Sequence, residues 1–166
     1  MSTAALVSVD DYLCRTEKPY CEYLDGILYP KAIPTKPHAL LQFFLVTLLR
    51  KQGFEALSEV TVRLSDTKFL IPDVIAARTI RSPYPTEAVE LCIEILSPTD
   101  RLGATLAKCE IYHTWGVPFC WVIDPEKQTA WQYHAGREPE RVGQGGIIEA
   151  GELNVRLEEL FSEQAI

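Results

Sequence analysis

No apolar run in this chain approaches the roughly 20 residues that a bilayer span requires, so no membrane partner is expected. The N-terminal segment MSTAALVSVDDYL has no basic start, and its apolar stretch stops at Asp10, short of a signal peptide. The cytoplasm is the expected compartment. The five cysteines, at 14, 21, 92, 109 and 120, contain no CxxC pair. His38, His113 and His134 add no closely spaced ligand pair, which excludes a structural zinc site. The cysteines read as buried, reduced thiols. Positive charge is also short: 16 lysines and arginines face 23 acids, for a net charge of −7. A nonspecific binder that coats nucleic acid with a basic surface does not look like this. Residues 137–166 hold seven acids and three arginines, so most of the excess lies at the C-terminal end.

Repeats, low-complexity tracts and long linkers are absent too. With 166 residues, 47% of them hydrophobic, one domain over 1–166 can bury roughly two-thirds of its unfolded surface. Residues 8–15 read as a short helix with Ser8 as N-cap. The segment CEYLDGILYP alternates on both sides of Asp25-Gly26, a pair suited to a tight hairpin. A proline-rich loop, KAIPTKPH, leads to HALLQFFLVTLLRKQ, apolar nearly all round and closed by Gly53. Three strand-like runs follow, ALSEVTVRL, FLIPDVIAA and AVELCIEILS. A helix over 102–115, the strand FCWVIDP, a further strand TAWQYHA and a short C-terminal helix complete the order. This is an α/β or α+β pattern around one mixed sheet.

Two acids sit where acids are costly. Asp73 follows Pro72 inside an apolar run, at a point where proline imposes an edge or a bulge and can re-aim the next side chain. A simple turn is the competing reading. Glu94 lies mid-strand on the face shared with Glu90, Cys92 and Leu96, opposite Val89, Leu91, Ile93 and Ile95. A buried carboxylate costs several kcal/mol unless paired, protonated or bound to a cation; a half-solvated sheet face would tolerate it. At 100° per residue, Lys108 falls between Ala104, Ile111, Tyr112 and Trp115, with Leu102, Leu106, Cys109 and His113 opposite. That lysine either snorkels outward or points its ammonium at an anion on the sheet. Two carboxylates and a peptide carbonyl can hold Mg²⁺, beside which a lysine can offset phosphoryl charge.

These pieces, in this order, resemble a family. EYLDG at 22–26, His38, IPDV at 71–74, EILSPTD at 94–100, Lys108 with Tyr112, and GVPFCWVIDP at 116–125 are similar to the Uma-type restriction endonuclease family, within the PD-(D/E)XK nuclease superfamily. The resemblance implies a restriction-endonuclease-like core, a central mixed sheet flanked by helices, with an added N-terminal helix and hairpin. It implies Asp73 and Glu94 as ligands of Mg²⁺ or Mn²⁺, the Ile95 carbonyl as a third, Lys108 as the catalytic lysine, and Glu22 as a further acidic position. DNA is the implied partner, with a homodimer compatible. Two departures stand out. The tripeptide that normally ends in lysine is Glu94-Ile95-Leu96, so the lysine arrives from the next helix, and Ala104 stands where similar proteins carry an aspartate that positions that lysine. The leading reading is a metal-dependent endonuclease. Its alternatives are a nuclease fold kept as an interaction domain, with Trp115, Trp121 and Trp131 available to an interface, and a structural protein in which Lys108 and Glu94 form a buried ion pair. Arg78, Arg81 and Arg101 are candidates for lining a groove, and His38 for capping its helix, pairing or touching phosphate.

Overall fold

A computed structural model describes residues 6–81 and 83–162. In chain order the elements are α1 (Val9–Leu13), β1 (Cys21–Leu24), β2 (Ile27–Pro30), α2 (Lys36–Lys51), β3 (Glu55–Ser58), β4 (Val62–Ser65), β5 (Lys68–Leu70) and β6 (Val74–Ala77). They continue with β7 (Leu91–Ile95), α3 (Leu102–Trp115), β8 (Phe119–Asp124), β9 (Thr129–His134), β10 (Glu140–Val142), β11 (Ile147–Ala150), β12 (Leu153–Arg156) and α4 (Leu157–Ser162).

The central sheet is mixed, ordered β10-β9-β8-β7-β6-β3. Only β7 and β8 run parallel, joined through α3, while the other neighbours are antiparallel. Parallel neighbours need a long crossover, and a 14-residue helix supplies it. Alternation along the strands sorts the apolar side chains to two faces. Leu91, Ile93 and Ile95 pack with Leu41, Leu45 and Leu49 of α2 and with Leu157, Leu160 and Phe161 of α4. Cys92 turns the other way, with Cys120 and Val122, onto Cys109 and Tyr112 of α3.

The expected central mixed sheet is present, and among the described residues two further sheets accompany it. A four-stranded sheet, β2-β1-β5-β4, stands beside the central one, and β11-β12 forms a separate hairpin near the C-terminus. Two runs that read as single strands are each broken in two. ALSEVTVRL gives β3 to the central sheet and β4 to the smaller one, and FLIPDVIAA gives β5 to the smaller and β6 to the central. The breaks have local causes. Pro72 cannot donate to a ladder, and Glu59 takes a left-handed φ of 55°, which ends an extended run. The two breaks touch, because the Glu59 N–H donates to the Asp73 carbonyl at 3.3 Å.

The hairpin forms as its turn chemistry predicts. Asp25 and Gly26 have φ of 50° and 91°, the left-handed pair whose twist matches two antiparallel strands. Helix α2 is capped by Thr35, whose side chain accepts from the His38 N–H, and Gly53 beyond its end has φ 83°. It is one-sided rather than apolar all round: Leu41, Leu45 and Leu49 are buried one turn apart, and Phe43 is 64% exposed. Among the thiols, Cys92, Cys109 and Cys120 are buried, but Cys14 is exposed and Cys21 intermediate, and all five are free. Among the described residues no helix is long and apolar enough to cross a membrane.

Candidate active site

The junction between the two larger sheets is where the charged groups gather. In the β6–β7 register Val74 faces Ile93, so one step further along the same antiparallel pairing Asp73 lies across from Glu94, on the same face. Both side chains are buried. Asp73 leaves its neighbours through the break at Pro72, and its Oδ2 accepts the Ile95 N–H at 2.7 Å. That bond fixes the carboxylate against the end of β7.

Helix α3 delivers the lysine. Its buried residues are Cys109 and Tyr112; Ala104 is exposed. The inward stripe is thus rotated from the arc that the 100° count around Lys108 suggested. Lys108 remains on the sheet side of it. Its Nζ lies 2.8 Å from Glu94 Oε1 and 2.6 Å from Glu22 Oε1. Tyr112, one turn on, donates its hydroxyl to the same Glu94 oxygen at 2.6 Å, so it does more than pack. Glu22, on β1, also accepts the Ile71 N–H at 2.9 Å, tying the hairpin to the segment that carries Asp73. The aspartate missing at Ala104 therefore leaves Lys108 doubly anchored by Glu22 and Glu94.

A second lysine, invisible in the sequence pattern, holds Asp73. Lys31, just beyond β2, donates to Asp73 Oδ1 and to the Ile71 carbonyl, both at 2.7 Å, and its Nζ lies 3.5 Å from Glu59 Oε2. His38 Nε2 stands 3.4 Å from Asp73 Oδ1. Its ring faces the acid while Thr35 does the capping. Gln42, one turn along α2, donates to Glu59 Oε1 at 2.7 Å and to the Asp73 carbonyl at 3.2 Å. Lys31 and Glu59 were missed because one lies in a proline-rich loop and the other in what reads as mid-strand. The available signal was that polar Glu22 and Lys31 fall on one alternating face of the hairpin.

The charges set the protonation states. Burial alone would raise Asp73, but the hydrogen bond to His38 and the charge of Lys31 hold its carboxyl well below the ordinary range. Burial pushes Glu94 up to about 7, against the pull of Lys108. Lys108 moves the other way: burial would lower it, yet the charges of Glu94 and Glu22 raise it. The two partners differ because Lys108 faces the charges of Glu94 and Glu22 together, whereas at Glu94 burial and the negative charges of Asp73 and Glu22 outweigh Lys108 and Lys31. His38 is likewise raised, burial being outweighed by its contact with Asp73.

These groups form the floor of a cleft of about 1000 Å³. Ile95 and Arg101 line it; Arg78 and Arg81 do not. Arg78 pairs with Glu152 and stacks on Phe54, and Arg81 pairs with Glu87. The donor chemistry fits a divalent cation. Ligand atoms of His38, Glu59 and Asp73 lie within 4.8 Å of one another, and Glu94, a buried acid whose carboxyl burial pushes up, lines the same cleft. Asp73 belongs to this group; Glu94 is not among its three members.

Known proteins place the chain. No curated protein matches it. A crystal structure described as a "putative nuclease belonging to DUF820", from Anabaena variabilis ATCC 29413, superposes over 94% of this chain and 98% of its own, with a TM-score of 0.80 at 23% identity. That likeness establishes the fold. A cryo-EM structure of a DrdV–DNA complex overlaps 75% of this chain but 11% of its own, at 19% identity and a TM-score of 0.47, too distant to argue from. The family model Uma2, described as "Putative restriction endonuclease", matches residues 9–164, and the chain therefore belongs to the Uma2 family.

Proposed function

We propose that this protein is a divalent-metal-dependent endonuclease that hydrolyses DNA phosphodiester bonds in the cleft between its two larger sheets. The observation that carries the reading is the convergence of Asp73, Glu94, Glu22 and Lys108 on one cleft floor. Family membership and the description of the Anabaena structure as a nuclease support it. Asp73, Glu94 and the Ile95 carbonyl are the proposed ligands of Mg²⁺ or Mn²⁺, with His38 and Glu59 within reach of Asp73. Held there, a divalent ion would polarise a phosphoryl oxygen and lower the pKa of a water enough for hydroxide to serve as the nucleophile. Lys108, held by two acids, offers a fixed ammonium to the charge that builds on the phosphate. Glu22 positions that lysine, and Tyr112 holds the Glu94 carboxylate in place. Five free thiols suit a cytoplasmic enzyme.

Titration calorimetry with Mn²⁺ tests the ligands: binding is expected in the native protein and lost in both Asp73→Ala and Glu94→Ala. Unchanged binding in both variants refutes the assignment. Lys108→Ala should retain metal and lose cleavage of single-stranded and plasmid DNA alike, and wild-type cleavage in that variant would remove Lys108 from the mechanism.

One observation favours a second reading. Each buried acid already has an ammonium, Lys31 at Asp73 and Lys108 at Glu94, as in a purely structural ion-pair network. On that reading no metal binds, and Lys108→Ala costs about 3–5 kcal/mol of stability.

A further inference from the structure

The hairpin that feeds the site carries more than Glu22 and Lys31. In its register Glu22 faces Tyr29, and one step beyond the Cys21–Pro30 pair the Lys31 N–H donates to the Tyr20 carbonyl at 2.9 Å. Tyr20, Glu22, Tyr29 and Lys31 therefore share one face. The other face holds Tyr23 and Leu28, which pack into a small cluster with Tyr12 and Phe69. On the site-facing side Glu22 and Lys31 reach down to Lys108 and Asp73. Tyr20 and Tyr29 flank them, both lining the cleft and 54% and 46% exposed. The Lys18 ammonium stands 5.6 Å from the Tyr20 ring centroid, and Ile33, 81% exposed, extends the apolar wall.

Aromatic faces at half exposure beside a phosphodiester site are stacking platforms for bases. Duplex DNA cannot use them, because its bases are paired and stacked inward and only sugar and phosphate face such a wall. Charge points the same way. Duplex binding without base readout rests on neutralising many phosphates, whereas the net charge here is −7 and the two deep lysines are engaged by carboxylates. Resting on the nuclease reading, we infer that the cleft takes a single strand of DNA, with bases next to the scissile phosphate stacked on Tyr20 and Tyr29 and Lys18 beside them for a neighbouring phosphate.

The test is fluorescence anisotropy with a labelled mixed-sequence oligonucleotide of about 15 nucleotides, free or annealed to its complement, in Ca²⁺. The single strand should bind at least tenfold more tightly than the duplex, and Tyr20→Ala and Tyr29→Ala should each weaken it roughly 5- to 150-fold. The phenylalanine variants should bind like the native protein, since stacking needs the ring and not the hydroxyl. Equal or tighter duplex binding, unchanged affinity in both alanine variants, or no binding of either form overturns the inference. Mn²⁺-dependent cleavage of the same two substrates separates the two levels: cleavage confined to the duplex sinks the single-strand inference and leaves the nuclease standing, and cleavage of neither sinks both.

Discussion

At Glu94 two demands meet: a buried carboxylate needs donors, and Lys108 and Tyr112 both reach the same oxygen of it. Tyr112→Phe removes the hydroxyl and leaves the ring in its packing. Because a hydrogen bond to a charged group contributes about 1.5–3 kcal/mol, that much stability should be lost at about pH 8, where Glu94 is ionised. With its carboxyl pushed up to about 7, the loss should shrink at about pH 5, where Glu94 is protonated. Urea unfolding at the two pH values measures the difference. Asp73 works in the opposite sense. Its carboxyl is held down, so its contribution is complete above the ordinary carboxylate value of about 3.9 and disappears as pH falls through the lower, folded value. Asp73→Asn should cost about 3–5 kcal/mol at neutral pH, since it strips Lys31 of a buried partner. The variant should also lack the part of the acid limb that belongs to this carboxylate, which a denaturation series from about pH 6 to about pH 2 would reveal.

The hairpin is the element on which positioning depends, because one register sets Glu22 and Lys31 on the same face. Its turn requires positive φ at Gly26, where an added Cβ would also stand 2.9 Å from Leu6 Cδ2. Gly26→Ala should therefore destabilise by at least about 1 kcal/mol. Any slip of the turn also withdraws both charged side chains from the floor, so cleavage should fall more than stability does; thermal unfolding and cleavage of a single-stranded oligonucleotide by the same sample check the pair. This element was legible in the sequence because Asp25-Gly26 is a local signal. So were α2 and α3, which have long apolar patterns and terminal glycines. The splitting of ALSEVTVRL and FLIPDVIAA between two sheets was not, because an extended backbone looks alike in either sheet and only tertiary pairing distinguishes them. The hairpin of β11 and β12 escaped for another reason: its turn, Gly151-Glu152 between the paired Ala150 and Leu153, lacks the Asp-Gly pair that marks the first hairpin.

Across the whole molecule, what could be read were the costly residues. Asp73, Glu94 and Lys108 stood out because each carries charge in an apolar setting. Lys31 did not, because a lysine in a proline-rich loop looks solvated and its partner lies 42 residues away. The chain's acidity has a consequence on this scale. If DNA binds through bases stacked on a wall, with Lys18 and Arg101 at the cleft meeting phosphates, few counterions leave. For a single strand each neutralised phosphate contributes about −0.7 to the slope of log K against log salt, so two contacts predict about −1.4. Anisotropy titrations from about 50 to about 300 mM KCl should give a slope between about −1 and −2. Lys18→Ala should flatten it by roughly 0.7, whereas Tyr20→Ala should lower affinity at every salt concentration without changing it. A slope steeper than about −4 would instead require six or so phosphates held by cations, and the binding surface would then have to lie elsewhere on the protein.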